Sequence, residues 1–94
     1  MHKAAPLVAW TPVISPGGMI HYTGTRFAGW TGDFVLAGLS AQGLVRVRVS
    51  GTTAREVARL PLQARIREVE QGPDGAIWVL EDGAAGRLIR LDPA

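Results

Sequence analysis

The stretch RIREVEQGPDGAIWVL, residues 65–80, decides the fold prediction for this chain. Ile66 and Val69 bracket two polar residues, and the turn sequence GPDG at 72–75 then leads into the apolar run AIWVL. Glycine and proline at these positions favour a tight reversal of the chain, and the apolar residues on either side favour strands. The stretch therefore predicts a β-hairpin.

Two arginines precede the turn of this hairpin, at positions 65 and 67. Side chains on one face of a strand recur every second residue, so Arg65 and Arg67 are expected on the same face, about 7 Å apart. Two guanidinium forks at that spacing suit an anion that carries two carboxylates. The ordinary alternative is a solvated strand face, on which the arginines pair with Glu68, Glu70 or a neighbouring strand.

Short strands are predicted along the rest of the chain. The run 33–39 is almost continuously apolar, which is typical of a strand buried on both faces, and 44–49 alternates strictly. In the loop 23–32, Phe27 and Trp30 are expected to anchor the chain against a neighbouring layer. Further strands are predicted at 5–9, 19–22 and 87–91, with a Pro-rich connection at 11–18.

The segment 53–62 is compatible with two structures, because its apolar residues suit a short helix as well as an outer strand. Pro61 is poorly placed for a helix interior. Edge strands tolerate both charge and proline. We therefore predict a strand here.

The chain contains an internal repeat with a period of 43 residues. The sequence LVRV at 44–47 also resembles LIRL at 88–91 after a one-residue shift. A period of about 40–45 residues with four short strands per unit is typical of β-propeller blades. The pairs of small residues with this separation are Gly32 and Gly75, Ala41 and Ala84, and Gly43 and Gly86.

The repeat predicts an all-β fold that contains about two four-stranded propeller blades in one domain over residues 1–94. The N-terminal strand and the first blade are expected at about 5–62, and the second blade at about 63–92. The second blade has only three predicted strands. Residues 5–9 could supply its missing outer strand.

Composition excludes several classes of function. The chain has 94 residues, no cysteine and a formal charge of +2. The lack of cysteine excludes disulfides and thiolate chemistry, and the scattered basic residues argue against nucleic-acid binding. No apolar run reaches the roughly twenty residues of a membrane span, and none at the N-terminus has the length of a signal peptide. The sequence also lacks nucleotide-binding glycine patterns, a catalytic triad and acidic residues at metal-ligand spacing. No catalytic or metal-binding residue is therefore predicted.

Three motifs resemble the soluble PQQ-dependent sugar dehydrogenases, the family of glucose, aldose sugar and sorbosone dehydrogenases. The first is WTPVISPGGM at 10–19, similar to the family pattern W-x-P-x-[IV]-[AS]-P-[SG]-G-M. The second is WTGDF at 30–34. The third is the segment RIREV with its GPDG turn, similar to an R-x-R-[DE]-V segment that runs into x-P-D-G. The motifs cover most of the chain, and the resemblance implies a C-terminal fragment of such a propeller.

The resemblance also implies a function, the oxidation of a sugar with pyrroloquinoline quinone (PQQ) as cofactor. In the family the two arginines of the third motif bind PQQ, so this role falls on Arg65 and Arg67, and Trp10 would lie near the planar ring system. The general base of the family is a histidine on an early blade, and its calcium site lies on a middle blade. Neither segment is present in this sequence, and His21 is expected to be a packed or rim histidine. The expected function is thus a partial quinoprotein, with part of the PQQ pocket, no calcium bound by this chain and no activity alone. Whether the chain should be called an enzyme is left open.

Other functions and an assembly state are compatible with the same sequence. A non-catalytic propeller module for self-assembly or partner binding is the main alternative, and an NHL-type binding propeller is a third possibility. Two blades leave apolar faces open, so we predict a homo-oligomer: a trimer that closes a six-bladed ring, or else a strand-exchanged dimer. Neither nucleic acid nor a membrane is an expected partner, and a sugar substrate is expected only for the parent family. Members of that family are periplasmic or secreted, whereas the location of this chain is not predicted.

Overall fold

The computed structural model describes residues 16–84 and 86–93, which form seven β-strands in two antiparallel sheets. The first sheet has the order β1-β2-β3-β4 and the second the order β5-β6-β7. The predicted strand at 5–9 lies outside the described residues. No helix within the described part of the chain is long and apolar enough to cross a membrane. The strands are β1 (Pro16–His21), β2 (Phe34–Gly38), β3 (Gly43–Ser50), β4 (Thr53–Pro61), β5 (Ile66–Gln71), β6 (Ile77–Glu81) and β7 (Leu88–Leu91).

The all-β prediction is confirmed for the described residues. The ambiguous segment 53–62 is a strand, since β4 pairs antiparallel with β3 along its length. The hairpin predicted at 65–80 is formed by β5 and β6, with the turn at Gly72–Gly75 between them. One boundary was wrong: β1 begins at Pro16, inside the segment 11–18 that was expected to be a connection.

The first sheet buries both faces of its central strand, as the apolar run at 33–39 predicted. Val35 and Ala37 on one face belong to the main core, which lies between the two sheets. Leu36 on the other face packs with Val45 and Val47 in a second, smaller cluster. The strand is apolar throughout because it has no face that points to water.

The two sheets pack together through their inner strands, β1 and β5. Gly17 in β1 lies so close to β5 that a Cβ atom at this position would overlap the backbone carbonyl of Arg67. The register of β1 shifts between Pro16 and Met19, which lets the strand bend at this contact. The main core follows from this packing and consists of Tyr22, Phe27, Val35, Ala37, Leu44, Ile66, Val69, Ile77 and Val79.

The loop between β1 and β2 ties the first sheet to the turn of the second. Tyr22 is fully buried, and its hydroxyl donates a hydrogen bond of 2.5 Å to the carbonyl oxygen of Gly75. The same hydroxyl accepts a hydrogen bond from the Phe27 N–H. Phe27 is buried, and its ring lies 4.7 Å from that of Trp30. The expectation that these two aromatic residues anchor the loop is confirmed.

Candidate cofactor-binding site

The first arginine of the predicted site lies at the entrance of β5. The Arg65 carbonyl accepts a hydrogen bond of 2.8 Å from the Asp82 N–H, which fixes the backbone against the end of β6. Its side chain is half-exposed, and Nε lies 3.5 Å from Oδ2 of Asp82, at the outer limit of a hydrogen bond. An exposed ion pair of this length contributes little to stability, so the guanidinium is available to a stronger anion.

The second arginine lies in a β-bulge. The pairing of β5 with β6 shifts register between Ile66 and Glu68, so Arg67 is the extra residue. The bulge explains how Ile66 and Val69, three positions apart, can both be buried, whereas strict alternation would send them to opposite faces. Arg65, Arg67 and Glu68 are all exposed. Both arginines are therefore exposed, as expected, and Glu68 is exposed beside them.

The Arg67 side chain makes no hydrogen bond or ion pair with any other residue in the ranges 16–84 and 86–93. The Arg67 backbone is held by its neighbours Ile66 and Glu68, which pair with β6, and by the close approach of Gly17. A positioned backbone with an unengaged guanidinium is the arrangement required of an anion ligand. The alternative, in which both arginines are paired within the sheet, holds for Arg65 but not for Arg67 among these residues.

Two of the three sequence motifs meet at this position. Gly17 and Gly18 close the first motif, and they pack on Arg67 and on the carboxylate of Glu68. The contact needs glycine, because any side chain at position 17 would strike the backbone of β5. Trp10, the third predicted cofactor ligand, belongs to the same motif and lies outside the described residues.

His21 is held by an aromatic ring and a backbone carbonyl. Its ring stacks on Phe34 with 4.7 Å between centroids, and Nε2 lies 3.1 Å from the Gly32 carbonyl oxygen. These contacts are those of a packed rim histidine. Within the described ranges no group of three or more histidine, cysteine, aspartate or glutamate residues could hold a metal ion.

The sequence model of the Glucose / Sorbosone dehydrogenase family matches residues 2–90 of the chain. The chain belongs to this family. An uncharacterised protein of Synechocystis sp. is 36% identical over 88 residues, which are 93% of this chain and 21% of the relative. The aldose sugar dehydrogenase YliI of Escherichia coli is 29% identical over 90 residues, which are 94% of this chain and 24% of that enzyme.

Solved structures of the family share the fold. A glucose dehydrogenase matches 97% of this chain with a TM-score of 0.85 and 31% identity, and the match covers 29% of that protein. The soluble aldose sugar dehydrogenase of Escherichia coli, solved in the apo-form, matches 95% of this chain with a TM-score of 0.84 and 29% identity. The two antiparallel sheets are thus those of a family propeller. The chain spans between a fifth and a third of the length of these relatives.

Sequence reasoning missed a second polar group, centred on Asp33. This carboxylate is 2% exposed, and both of its oxygens accept hydrogen bonds from Arg48, at 2.9 and 3.1 Å. The hydrogen bonds that Arg48 donates to Asp33 raise the pKa of Arg48 above its ordinary value. Arg46 lies on the same carboxylate, with Nε 3.4 Å from Oδ2. The available signal was a charged residue at the start of an otherwise apolar strand, followed by two arginines in the next strand.

Proposed function

We propose that this chain forms one wall of the PQQ pocket in a sugar dehydrogenase of the glucose/sorbosone dehydrogenase family. The observation that carries the proposal is the guanidinium of Arg67, which pairs with no other residue in 16–84 and 86–93. Its backbone is held by Gly17 and by the pairing of its neighbours Ile66 and Glu68 with β6. The half-exposed Arg65 lies two positions away in the sequence. Planar guanidinium forks bind carboxylates in a bidentate manner, and PQQ is a planar anion with several carboxylates.

The described residues supply two exposed guanidinium groups for the carboxylates of this cofactor. Arg65 gives up only a weak contact with Asp82 when it turns to a carboxylate. Glu68 opposes the binding, and its carboxylate rests against Gly18. With Asp82 beside Arg65, two carboxylates stand against two guanidinium groups, so the attraction for an anion rests on the Arg67 fork, which pairs with no residue in 16–84 and 86–93. When bound, PQQ would accept the electron pair removed from the sugar carbon.

The chain alone should not oxidise sugars. General bases and metal ions supply much of the transition-state stabilisation in such reactions. The family carries these groups on blades that this sequence does not contain, and the chain corresponds to about a quarter of its relatives. A dye-linked sugar oxidation assay with added PQQ and calcium is expected to give the rate of the buffer control. Turnover well above that control would contradict the proposed role as a partial pocket.

PQQ binding is the experiment that tests the proposal. Titration of the chain with PQQ should show weak binding that weakens further with salt, since the contacts are exposed ion pairs. The double substitution Arg65→Ala/Arg67→Ala should reduce the affinity at least about tenfold, because charged hydrogen bonds of about 1.5 kcal/mol are lost and solvent screens part of each.

The matched control removes the same two charges from another strand, in the variant Arg55→Ala/Arg59→Ala on β4. This control should bind PQQ as the unsubstituted chain does, apart from a small effect of net charge. Equal loss in both double variants would show that only bulk charge matters. No loss in the Arg65/Arg67 variant would remove these residues from the pocket.

We further propose that the chain assembles into a closed trimer that completes a six-bladed ring. In the described ranges the second sheet ends at β7, where Leu88 is 67% exposed, and Met19 on β1 is 59% exposed. Open strand edges and exposed apolar side chains favour pairing with another chain. Light scattering should report three copies of the 10.0 kDa chain. A dimer would favour strand exchange, and a stable monomer at micromolar concentration would contradict assembly.

A further inference from the structure

A cleft of about 100 Å³ lies under the outer strand of the first sheet. It opens between the loop that precedes β2 and the strand β4, and it shares no residue with the site around Arg65 and Arg67. Its walls combine one aromatic residue, two arginines and an apolar floor. The lining residues are Trp30, Val35, Arg46, Ala58, Arg59 and Leu60.

The charges beside this cleft do not balance. Asp33 is the single buried charged residue within 16–84 and 86–93, and Arg48 uses both of its carboxylate oxygens. Arg46 lies 3.4 Å from the same carboxylate, but the geometry gives no hydrogen bond, and its Nε is buried without a partner. One carboxylate therefore serves two guanidinium groups. One positive charge remains uncompensated, and it belongs to the arginine that lines the cleft.

Arg46 is held in place by packing. Its guanidinium carbon lies 4.9 Å from the centre of the Trp30 ring, a cation–π contact, and only 18% of its side chain is exposed. No described residue accepts a hydrogen bond from this side chain. A mostly buried guanidinium without hydrogen-bond acceptors is costly unless an anion or water satisfies it. Among the described residues, this fixed cation has as counter-ion only the Asp33 carboxylate, which it shares with Arg48.

Arg59, the other arginine at the cleft, is already neutralised. Its Nε and Nη2 donate hydrogen bonds of 2.7 and 3.0 Å to the two carboxylate oxygens of Glu56. The register pairs Arg59 with Val45 and Arg46 with Ala58, so the Arg59 side chain lies on the opposite face of the sheet from Arg46. Arg46 is therefore the residue that would recognise a charged ligand.

We propose that this cleft binds a small aliphatic monocarboxylate, with its carboxylate on Arg46 and its alkyl chain on Val35, Ala58 and Leu60. The single surplus charge favours a monoanion over phosphate or sulfate. The apolar floor favours a short hydrocarbon tail over an inorganic ion. The volume sets an upper limit, since a cavity of roughly 150 Å³ holds a benzene molecule and this cleft is smaller. The site is additional to the proposed PQQ pocket and does not depend on it.

The test is a titration of the ¹⁵N-labelled chain with sodium butyrate, followed by the amide, indole and guanidinium Nε–H signals. The Trp30 indole and the Arg46 Nε–H should shift in a saturable manner, with a dissociation constant in the millimolar range. Butyramide has the same tail without the charge and should bind at least tenfold more weakly. Sodium chloride and sodium phosphate should not produce the saturable shift. Phosphate binding as tight as butyrate, or no saturation with butyrate, would overturn the proposal.

Two variants with a matched control locate the site. Arg46→Gln removes the charge and should reduce butyrate affinity at least tenfold, whereas Arg55→Gln, on an exposed arginine of β4, should leave it unchanged. Ala58→Leu should fill the cleft and abolish binding while Arg46 remains, so it decides the outcome even if Arg46→Gln does not fold. Unchanged affinity in Ala58→Leu would contradict the proposal.

Discussion

The two sheets are built on the same repeat but are stabilised in different ways. The strand β2 at 34–38 and the strand β6 at 77–81 are 43 residues apart, and each follows a glycine with positive φ. These glycines are Gly32, with φ of 91°, and Gly75, with φ of 86°. The next position is Asp33 in the first sheet and Ala76 in the second. The repeat determines the shared backbone structure of the two sheets, while individual side chains determine which contacts stabilise each sheet.

The surroundings of the two glycines show the same difference. A Cβ atom at Gly32 would meet nothing within 4 Å, whereas one at Gly75 would lie 3.3 Å from both the Tyr22 hydroxyl and the Arg26 Cβ. The first sheet is stabilised by ion pairs of Asp33 with two arginines of β3. The turn of the second sheet is stabilised by Tyr22, which lies in the loop between β1 and β2. The two copies therefore depend on different contacts, and substitutions should separate them.

The largest effect is expected for Asp33→Ala, which leaves Arg46 and Arg48 without their shared carboxylate. Removal of one partner from a buried ion pair costs about 3–5 kcal/mol, and we expect about 3 kcal/mol because Arg48 is partly exposed. Urea unfolding measures the change. The control Glu70→Ala, on an exposed residue of β5, should change the free energy of unfolding by less than about 0.5 kcal/mol. Equal effects would mean that Asp33 has no special role in the first sheet.

The second largest effect is expected for Tyr22→Phe, which removes the link between the sheets. The Gly75 carbonyl loses its hydrogen-bond donor at 2.5 Å, and the Phe27 N–H loses its acceptor at 3.3 Å. A buried polar group left unsatisfied costs about 1–3 kcal/mol, so we expect a loss of about 2 kcal/mol in the same unfolding experiment. A loss below about 0.5 kcal/mol would show that packing of the ring, and not the hydroxyl, holds the turn.

Alanine at the two equivalent glycines should distinguish the copies directly. Both positions have positive φ, which costs an L-residue about 1–2 kcal/mol. Gly32→Ala should show only this backbone cost, about 1 kcal/mol, since space around it is open. Gly75→Ala should be about 1 kcal/mol worse, because the methyl group crowds Tyr22 and Arg26. Thermal unfolding of both variants compares them, and equal midpoints would contradict the asymmetry.

The smallest effect is a dependence on pH that belongs to the second sheet. Hydrogen bonds from Arg90 lower the pKa values of Asp74 and Asp92, and those from Arg87 lower the pKa of Glu81. A carboxylate whose pKa is lower in the folded state stabilises the fold above its unfolded pKa, about 3.9 for aspartate and 4.3 for glutamate. This stability is lost as the pH falls through the lower, folded pKa values.

The thermal midpoint should therefore fall as the pH decreases below about 4, where these carboxylates begin to take up protons. Arg90→Gln should show a smaller fall, because Asp74 and Asp92 lose their main hydrogen-bond donor. Arg55→Gln serves as the control of equal charge and should keep the fall of the unsubstituted chain. Identical pH profiles for the two variants would show that Arg90 does not carry the effect.

Local patterns in the sequence predicted most of the fold. The turn at 72–75, the alternation of β3 and the position of Pro61 each act through neighbouring residues, so they predicted the hairpin, the strand β3 and the strand β4. The 43-residue repeat predicted that β2 and β6 are equivalent. The motifs at 10–19, 30–34 and 65–75, taken together, predicted the family, which the comparison with known proteins confirmed. The assignment of those arginines to PQQ stays a prediction.

Features that depend on contacts between distant residues were not predictable in this way. The bulge at Arg67 results from the need to bury both Ile66 and Val69. The bond from Tyr22 to Gly75 joins residues 53 positions apart. The sharing of Asp33 by Arg46 and Arg48 depends on how β3 pairs with β2, because Asp33 directly precedes β2 and both arginines lie on β3. Such pairings become visible only when the sheets are placed against each other.

The most direct test of the central claim is to map where PQQ contacts the chain. The ¹H–¹⁵N spectrum of the labelled protein should be recorded with increasing PQQ, with the Arg Nε–H signals included. Shifts are predicted to concentrate at Arg65, Arg67 and Glu68 and at Gly17 and Gly18, with little change at Trp30 and Arg46. Shifts absent from Arg65 and Arg67, or concentrated on the cleft under β4, would contradict the assignment of this chain to a wall of the PQQ pocket.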